Sequence, residues 1–284
     1  MIKASNWEDY KLISMSNGEK IEKWGSYVLR RPDPQIIWQN ANFNSIKVDA
    51  IYHRSTKGGG YWEVKNNIKD SWQIKYRELT FNIKLMGFKH TGIFPEQAVN
   101  WDYMIDKINK ANRPIKVLNL FAYTGGATVA CTYANAHVTH VDSSKGMVDW
   151  AKENIISSNL EDKPIRFIVD DVYKFVEREI RRGNKYDAII MDPPSFGRGS
   201  NHEVWKLEEN LFPLVDLCTK VLSDKPIFFL INSYTTGLSP IVLENILNLT
   251  INHQGIVSSG ELGLPLEDSN LILPCGIYGR WESV

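Results

Sequence analysis

Asp192-Pro193-Pro194-Ser195-Phe196 closes the apolar run "YDAIIMD" and is equipped for chemistry on a flat group that carries hydrogen-bond donors. Proline cannot donate to a sheet ladder, so a strand must stop at Asp192. The two prolines hold a carboxylate and the neighbouring carbonyls in one arrangement, and Phe196 can stack on a gripped plane. Three further stretches sit in the same way just past an apolar run. "NLFAYTGGA", Asn119 to Ala127, carries Gly125 and Gly126, which allow close approach of a ligand and close packing of a helix on its sheet. It is neither a G-x-G-x-x-G turn nor a P-loop, because no phosphate-cradling Lys follows. Asp142 lies 17 residues beyond Gly125, where an acid can accept hydrogen bonds from both hydroxyls of a ribose. Alone, it would read as an acid favoured by a helix N-terminus. Asp170 and Asp171 follow the next run: Asp170 suits a helix cap, and Asp171 is assigned to an adenine amino group.

The elements that must position these residues alternate from Lys116 onward. "KVLNLFA", "HVTHVD", "IRFIVDD", "YDAIIMD" and "PIFFLINS" read as strands, each followed by a helical segment such as "KGMVDWAKENIISSN" or "VYKFVEREIRRG". Such alternation predicts an α/β fold, a parallel sheet with helices on both faces, which binds ligands outside the carboxyl ends of its strands. "GIVSSGEL" and "LILPCGIYGRWE" lack a helix between them and would turn the last strand antiparallel. Residues 1–85 predict a small antiparallel β domain, with strands "SYVLRR", "QIIW", "SIKVDAIYH" and "YWEV" between turn clusters such as "SNGE" and "KGGG". "WQIKYRELTFNIKLM" predicts two strands with a tight reversal or a bulge. Residues 86–115 form a linking segment that passes from loop into helix, with Pro95 suited to the first turn. The remainder, 116–284, is the ligand-binding domain.

Composition sets the class. With 43% hydrophobic and 23% charged residues, the 284-residue chain reads as a soluble globular protein. No apolar run approaches membrane-spanning length, and the N-terminus lacks the apolar core of a signal peptide. Cys131, Cys218 and Cys275 lie far apart in apolar contexts, as reduced thiols of a cytoplasmic protein do. The six histidines show no ligand spacing, so no metal is expected. Residues 1–100 hold 15 Lys+Arg against 10 Asp+Glu and five of the nine Trp, while 101–284 hold 18 against 23. A basic, aromatic-rich part suggests a polyanion-facing surface, although core aromatics of a β domain explain it as well.

"VLNLFAYTGGATV", "VDSS", "VDDVYKFV" and "MDPPSFGRG", in this order, resemble the motifs of class I S-adenosylmethionine-dependent methyltransferases. More closely, they are similar to the bacterial branch that includes large-subunit ribosomal RNA methyltransferases. "GFKHTGIFPEQAVNW" is similar to the segment that precedes the core in that branch, so the resemblance covers roughly residues 60–284. It implies a Rossmann-like sheet of seven strands with the last antiparallel, S-adenosylmethionine as cofactor, and RNA as substrate. By the same resemblance, Asn119, Phe121, Tyr123, Thr124 and Gly125 would line the methionine end of the cofactor. Asp142 would hold the ribose, Ser143 would lie beside the adenine, and Asp171 and Val172 would flank it. Asp192 and Pro193 would sit near the sulfonium and target atom, while Phe94 and Gln97 would reach over as a lid.

Asp192, Pro193, Pro194 and Phe196 are therefore the candidate catalytic set. A carboxylate there can accept hydrogen bonds from an amino group and keep a lone pair aimed at the methyl, which favours a base nitrogen. Transfer to carbon 5 of cytosine would need a Cys nucleophile, and neither the Asp192 loop nor "FLINSYTTG" contains one. Arg198 could meet a phosphate. A small-molecule or protein methyltransferase, and a non-catalytic nucleoside- or RNA-binding module, are the alternative readings.

Overall fold

The computed structural model describes residues 1–56, 58–198 and 204–284. The chain divides into two units: Lys3–Ala98 with Gly263–Pro274, and Met1–Ile2 with Val99–Leu262 and Cys275–Val284. The first unit thus extends past residue 85 and takes in a late segment that the sequence reading assigned elsewhere.

After the two-residue strand β1 (Ile2–Lys3), the first unit contains β2 (Tyr10–Ser16), β3 (Glu19–Trp24), β4 (Tyr27–Pro32), β5 (Ala50–Arg54), β6 (Gly60–Val64), β7 (Trp72–Tyr76) and β8 (Leu79–Ile83). Strands β2 and β3 turn through Asn17 and Gly18 at φ 53° and 80°, the left-handed pair that a two-residue hairpin requires. The five-stranded sheet runs in order β2-β3-β4-β5-β6, and β7 and β8 pair separately. The sheet is mixed rather than antiparallel throughout, because β5 joins β4 in parallel. "QIIW" is not a strand: the Ile36 and Trp38 carbonyls accept from the β2–β3 turn, from Gly18 N–H and Asn17 N–H, and Ile36 N–H donates to the Asp33 carbonyl. "WQIKYRELTFNIKLM" does make two strands, reversing at Arg77 with φ 51°. The core of this unit encloses Glu22, fully buried, paired with Arg31 at 2.7 Å and accepting from the Tyr10 hydroxyl at 2.8 Å. Burial alone would push the Glu22 carboxyl up, but Arg31, Lys20 and the hydrogen bonds from Arg31 and Tyr10 bring it down to about 2.

Pro95 opens a short 3-10 turn as its first residue, and α1 (Ala98–Lys110) follows. The second unit then alternates β9 (Lys116–Leu120), α2 (Gly126–Tyr133), β10 (His137–Asp142), α3 (Lys145–Ser157), β11 (Ile165–Val169), α4 (Val172–Arg181) and β12 (Ala188–Met191). A small antiparallel pair, β13 (Phe196–Arg198) and β14 (Val204–Lys206), comes before α5 (Leu207–Thr219), β15 (Phe228–Ser233), α6 (Pro240–Thr250), β16 (Gly255–Pro265) and β17 (Ile272–Ser283). The sheet order is β1-β16-β17-β15-β12-β9-β10-β11. Five strands are parallel, and β17 runs antiparallel to β15. Seven strands match expectation and β1 adds an eighth at the edge. Both faces are covered. Leu118, Leu120, Ile189 and Met191 pack with side chains of α4, α5 and α6, while Val117, Ala188 and Ile190 pack with side chains of α1 and α2. This two-sided burial explains why the central strands read as continuous apolar runs.

Candidate cofactor and acceptor site

Strand order reverses between β9 and β12: β10 and β11 lie to one side of β9, β12 and β15 to the other. The loops leaving β9 and β12 diverge there, which opens a crevice at the carboxyl ends. The β9 loop has an unusual backbone. Phe121, Tyr123 and Gly125 all have left-handed φ values, of 52°, 50° and 81°. For Phe and Tyr this costs roughly 1–3 kcal/mol each and persists only where the surroundings impose it. They do so here. Tyr123 N–H donates to Asp142 Oδ2 at 2.8 Å, Ala122 N–H to the Val141 carbonyl at 3.1 Å, and the buried Asn154 amide to the Thr124 carbonyl at 2.8 Å.

Asp142 therefore anchors the turn from the carboxyl end of β10. Its Oδ1 accepts from Ser144 N–H at 2.8 Å, so one carboxylate ties the β9 and β10 loops together. Burial pushes its carboxyl above the ordinary range, while the N–H groups of Ser144 and Tyr123 pull the other way. Each carboxylate oxygen keeps a second lone pair, the acceptors that two donating ribose hydroxyls need. Gly125 and Gly126 allow close approach as expected, but the approaching groups are the protein's own. A Cβ on Gly125 would lie 2.8 Å from Cβ of Ala151 in α3, and one on Gly126 would lie 2.9 Å from the Trp101 indole of α1. Asn119 is buried at 3% exposure, and its amide donates to Thr128 Oγ1, which lies 2.8 Å from His140 Nδ1. It faces α2 and supports the turn from within the fold.

At the next strand end, the capping assignment is reversed. Asp171, not Asp170, is the N-cap of α4, accepting from Lys174 N–H at 3.0 Å through Oδ1. Asp170 pairs with Arg178 and accepts from Asp171 N–H at 2.8 Å. Arg178, eight residues on in α4, competes for Asp170, which local sequence order does not reveal. Val172 is buried in the core shared with Val141 and Phe175, while Ser143 is exposed beside Asp142.

The Asp192 loop is pinned on both sides. Pro193 is buried, Asp192 half-buried, and Pro194 and Ser195 exposed. The Trp205 indole N–H donates to the Pro194 carbonyl at 2.6 Å, and Leu207 N–H to the Ser195 carbonyl at 3.0 Å. Ser195 Oγ lies 2.7 Å from Thr235 Oγ1, just past the end of β15. Phe196 opens a strand rather than a loop, pairs with Lys206, and is 56% exposed. Trp205 and Thr235 escaped the sequence reading because pairing across β13 and β14, and the β12–β15 adjacency, bring them in.

Phe94 and Gln97 belong to the first unit, at the cap and end of the turn before α1. The Arg198 side chain and His202 lie outside the described residues. Cys131 and Cys218 are fully buried, and burial pushes both thiols well up, away from nucleophilic use. Among the described residues, no group of three or more His, Cys, Asp or Glu could hold a metal ion, and no helix is long and apolar enough to cross a membrane. The second unit thus brings Phe121, Tyr123, Thr124, Gly125, Asp142 and Ser143 together around one turn and sets the rigid Asp192 loop beside it. An acid with spare lone pairs, tight turns and a fixed carboxylate suit a nucleoside-bearing cofactor and a flat acceptor.

Comparison with known proteins agrees with this geometry. Residues 28–218 match the model of the S-adenosylmethionine-dependent methyltransferase family. The chain is 28% identical over 237 residues to the ribosomal RNA large subunit methyltransferase K/L of Pseudoalteromonas atlantica, a match covering 83% of this chain and 30% of that protein. It is 27% identical over 243 residues to the ribosomal RNA large subunit methyltransferase K of Neisseria meningitidis serogroup B, covering 85% of this chain and 65% of the relative. The chain thus spans from under a third to just under two thirds of these two relatives. The crystal structure of the SAM-dependent methyltransferase from Agrobacterium tumefaciens is 37% identical and superposes with a TM-score of 0.95, over 100% of this chain and 93% of that one.

Proposed function

We propose that this chain, which belongs to the S-adenosylmethionine-dependent methyltransferase family, methylates a nitrogen on a base of RNA, with ribosomal RNA the favoured substrate. The observation that carries the reading is the rigid Asp192-Pro193 loop beside the turn anchored by Asp142, both at the sheet's switch point. Large-subunit ribosomal RNA as substrate is supported by the names of the two relatives. Three cysteines outside any disulfide support a reducing compartment, the cytoplasm.

Bound S-adenosylmethionine would supply a methyl group already activated on a sulfonium, so the protein's task is positioning and exclusion of water. Asp142 would accept from the ribose hydroxyls. Ser143, Asp171 and the start of α4 at Val172 would flank the adenine. Phe121, Tyr123, Thr124 and Gly125 would line the methionine end, with Asn119 supporting them from below.

The acceptor's N–H groups would be met by the Asp192 carboxylate and the Pro193 carbonyl, with the Pro194 and Ser195 carbonyls held in place by Trp205 and Leu207. Phe196, exposed at the start of β13, would stack on the base. The nitrogen lone pair would then form the new bond to carbon as the carbon–sulfur bond breaks, and the nitrogen's surplus proton would leave toward the Asp192 carboxylate.

The test is transfer of labelled methyl to RNA from cells lacking the protein. Wild type should label RNA, while Asp192→Ala should lose transfer by about a hundredfold or more with affinity for S-adenosylhomocysteine within a few-fold. Failure of the wild type to label any such RNA would reject the substrate assignment.

A further inference from the structure

Trp205 joins three strand ends that have no covalent link near one another. Its indole N–H donates to the Pro194 carbonyl at 2.6 Å, on the β12 loop. Its ring centre lies 5.0 Å from that of Phe121, the first left-handed residue of the β9 loop. It also lies 6.4 Å from the Tyr173 ring at the start of α4, whose hydroxyl donates to the Asn210 carbonyl in α5. Trp205 itself is held by the β13–β14 pairing, opposite Gly197. Tilted aromatic contacts at these spacings are favourable and directional, and a hydrogen bond to a carbonyl fixed by proline transmits displacement with little slack.

We propose that Trp205 is the positioning residue that couples the cofactor turn to the acceptor loop, so that occupancy of one orders the other. The proposal rests on the methyltransferase reading above. Phe121 should move when a cofactor settles on the β9 turn, and the indole should carry that shift to Pro194, two residues after Asp192. The same bond fixes the Pro194 carbonyl, and with it the course of the Asp192-Pro193 segment that would meet an incoming amino group. Trp205 would thus set both the timing and the address of the acceptor.

The test uses the full chain with tryptophan indoles labelled in 15N. Nine indole N–H signals are expected, one per Trp, and the one absent from Trp205→Phe or from Trp205→Tyr belongs to Trp205. Adding S-adenosylhomocysteine should shift that signal and slow its exchange with solvent. Calorimetry should give the Trp205→Phe variant an affinity within about threefold of wild type, while kcat for methyl transfer to RNA falls about tenfold to a hundredfold with KM little changed. An unmoved Trp205 signal in protein that demonstrably binds S-adenosylhomocysteine overturns the coupling. So does wild-type kcat in the variant, or a kcat loss no greater than its loss of cofactor affinity, which would mark a merely structural role. Absence of binding heat from the wild type is a separate outcome: it defeats the cofactor reading itself and the coupling with it.

Discussion

Replacing Gly125 by Ala perturbs the cofactor turn through two physical effects that can be separated. The backbone there has φ 81°, and an L-residue in the left-handed region costs about 1–2 kcal/mol. The new methyl would also stand 2.8 Å from Ala151 Cβ and 3.4 Å from Ala151 Cα. Ala151 has no side chain to swing away, and its helix is held by buried Val148, Trp150 and Ile155. Overpacking of this kind costs about 1–3 kcal/mol. The sum, roughly 2–5 kcal/mol, should appear in urea unfolding followed by circular dichroism. Ala151→Gly alone should cost about 1 kcal/mol through helix propensity. The double variant removes the clash and keeps the φ penalty, so it should be more stable than the summed singles by about 1–3 kcal/mol. A Gly125→Ala protein within about 0.5 kcal/mol of wild type, or strictly additive singles, would refute the reasoning.

Asp142→Ala frees the N–H groups of Tyr123 and Ser144 together and removes the ribose acceptor, so S-adenosylhomocysteine affinity should fall by about tenfold or more in calorimetry. Unchanged affinity would remove Asp142 from the site. Glu22 has its folded pKa lowered to about 2 from 4.5. Its contribution, on the order of 3 kcal/mol, is therefore present above pH 4.5 and lost as pH falls from there toward 2. A Glu22→Gln variant should leave Arg31 buried without its partner, costing about 3–5 kcal/mol at neutral pH, and should lack that acid-limb slope. Cys275→Ser should retain methyl transfer to RNA within about twofold, whereas loss of activity would reopen a thiol mechanism.

Much of the second unit was legible because buried parallel strands are apolar on both faces, and "KVLNL", "AIIM" and "FFLINS" have no other use. Asp142 and Asp192 were legible for a related reason: an acid directly after such a run sits at a strand's carboxyl end. What stayed hidden was set by partners distant in sequence. The cap falls to Asp171 because Arg178, a full helical turn or more away, claims Asp170. Phe121 and Tyr123 give no sign of left-handed backbone in their residue types, since the conformation is imposed by Asp142 and Asn154. Trp205 stayed hidden because its strand β14 is three residues long and is defined by pairing with β13, with no apolar pattern of its own. In the first unit, "NG" at Asn17 and Gly18 was a usable hairpin signal between "YKLISMS" and "EKIEKW". The parallel β4–β5 pairing, by contrast, crosses an irregular stretch that no local pattern encodes.

The inclusion of Gly263–Pro274 in the first unit has a consequence for inheritance and engineering. Glu267 N–H donates to the Leu12 carbonyl, Ala4 N–H to the Gly263 carbonyl, and the Gln35 amide to the Pro274 carbonyl. The first unit is thus completed by residues translated more than 160 positions after its other part ends. A ribosome releasing the first hundred residues releases an unfinished unit, whose exposed Leu12 edge must wait for the chain's last hairpin. No single cut liberates either unit whole. Recombination between relatives at residue 98 would therefore pair each first unit with a foreign closing strand, and the two parts should be inherited together.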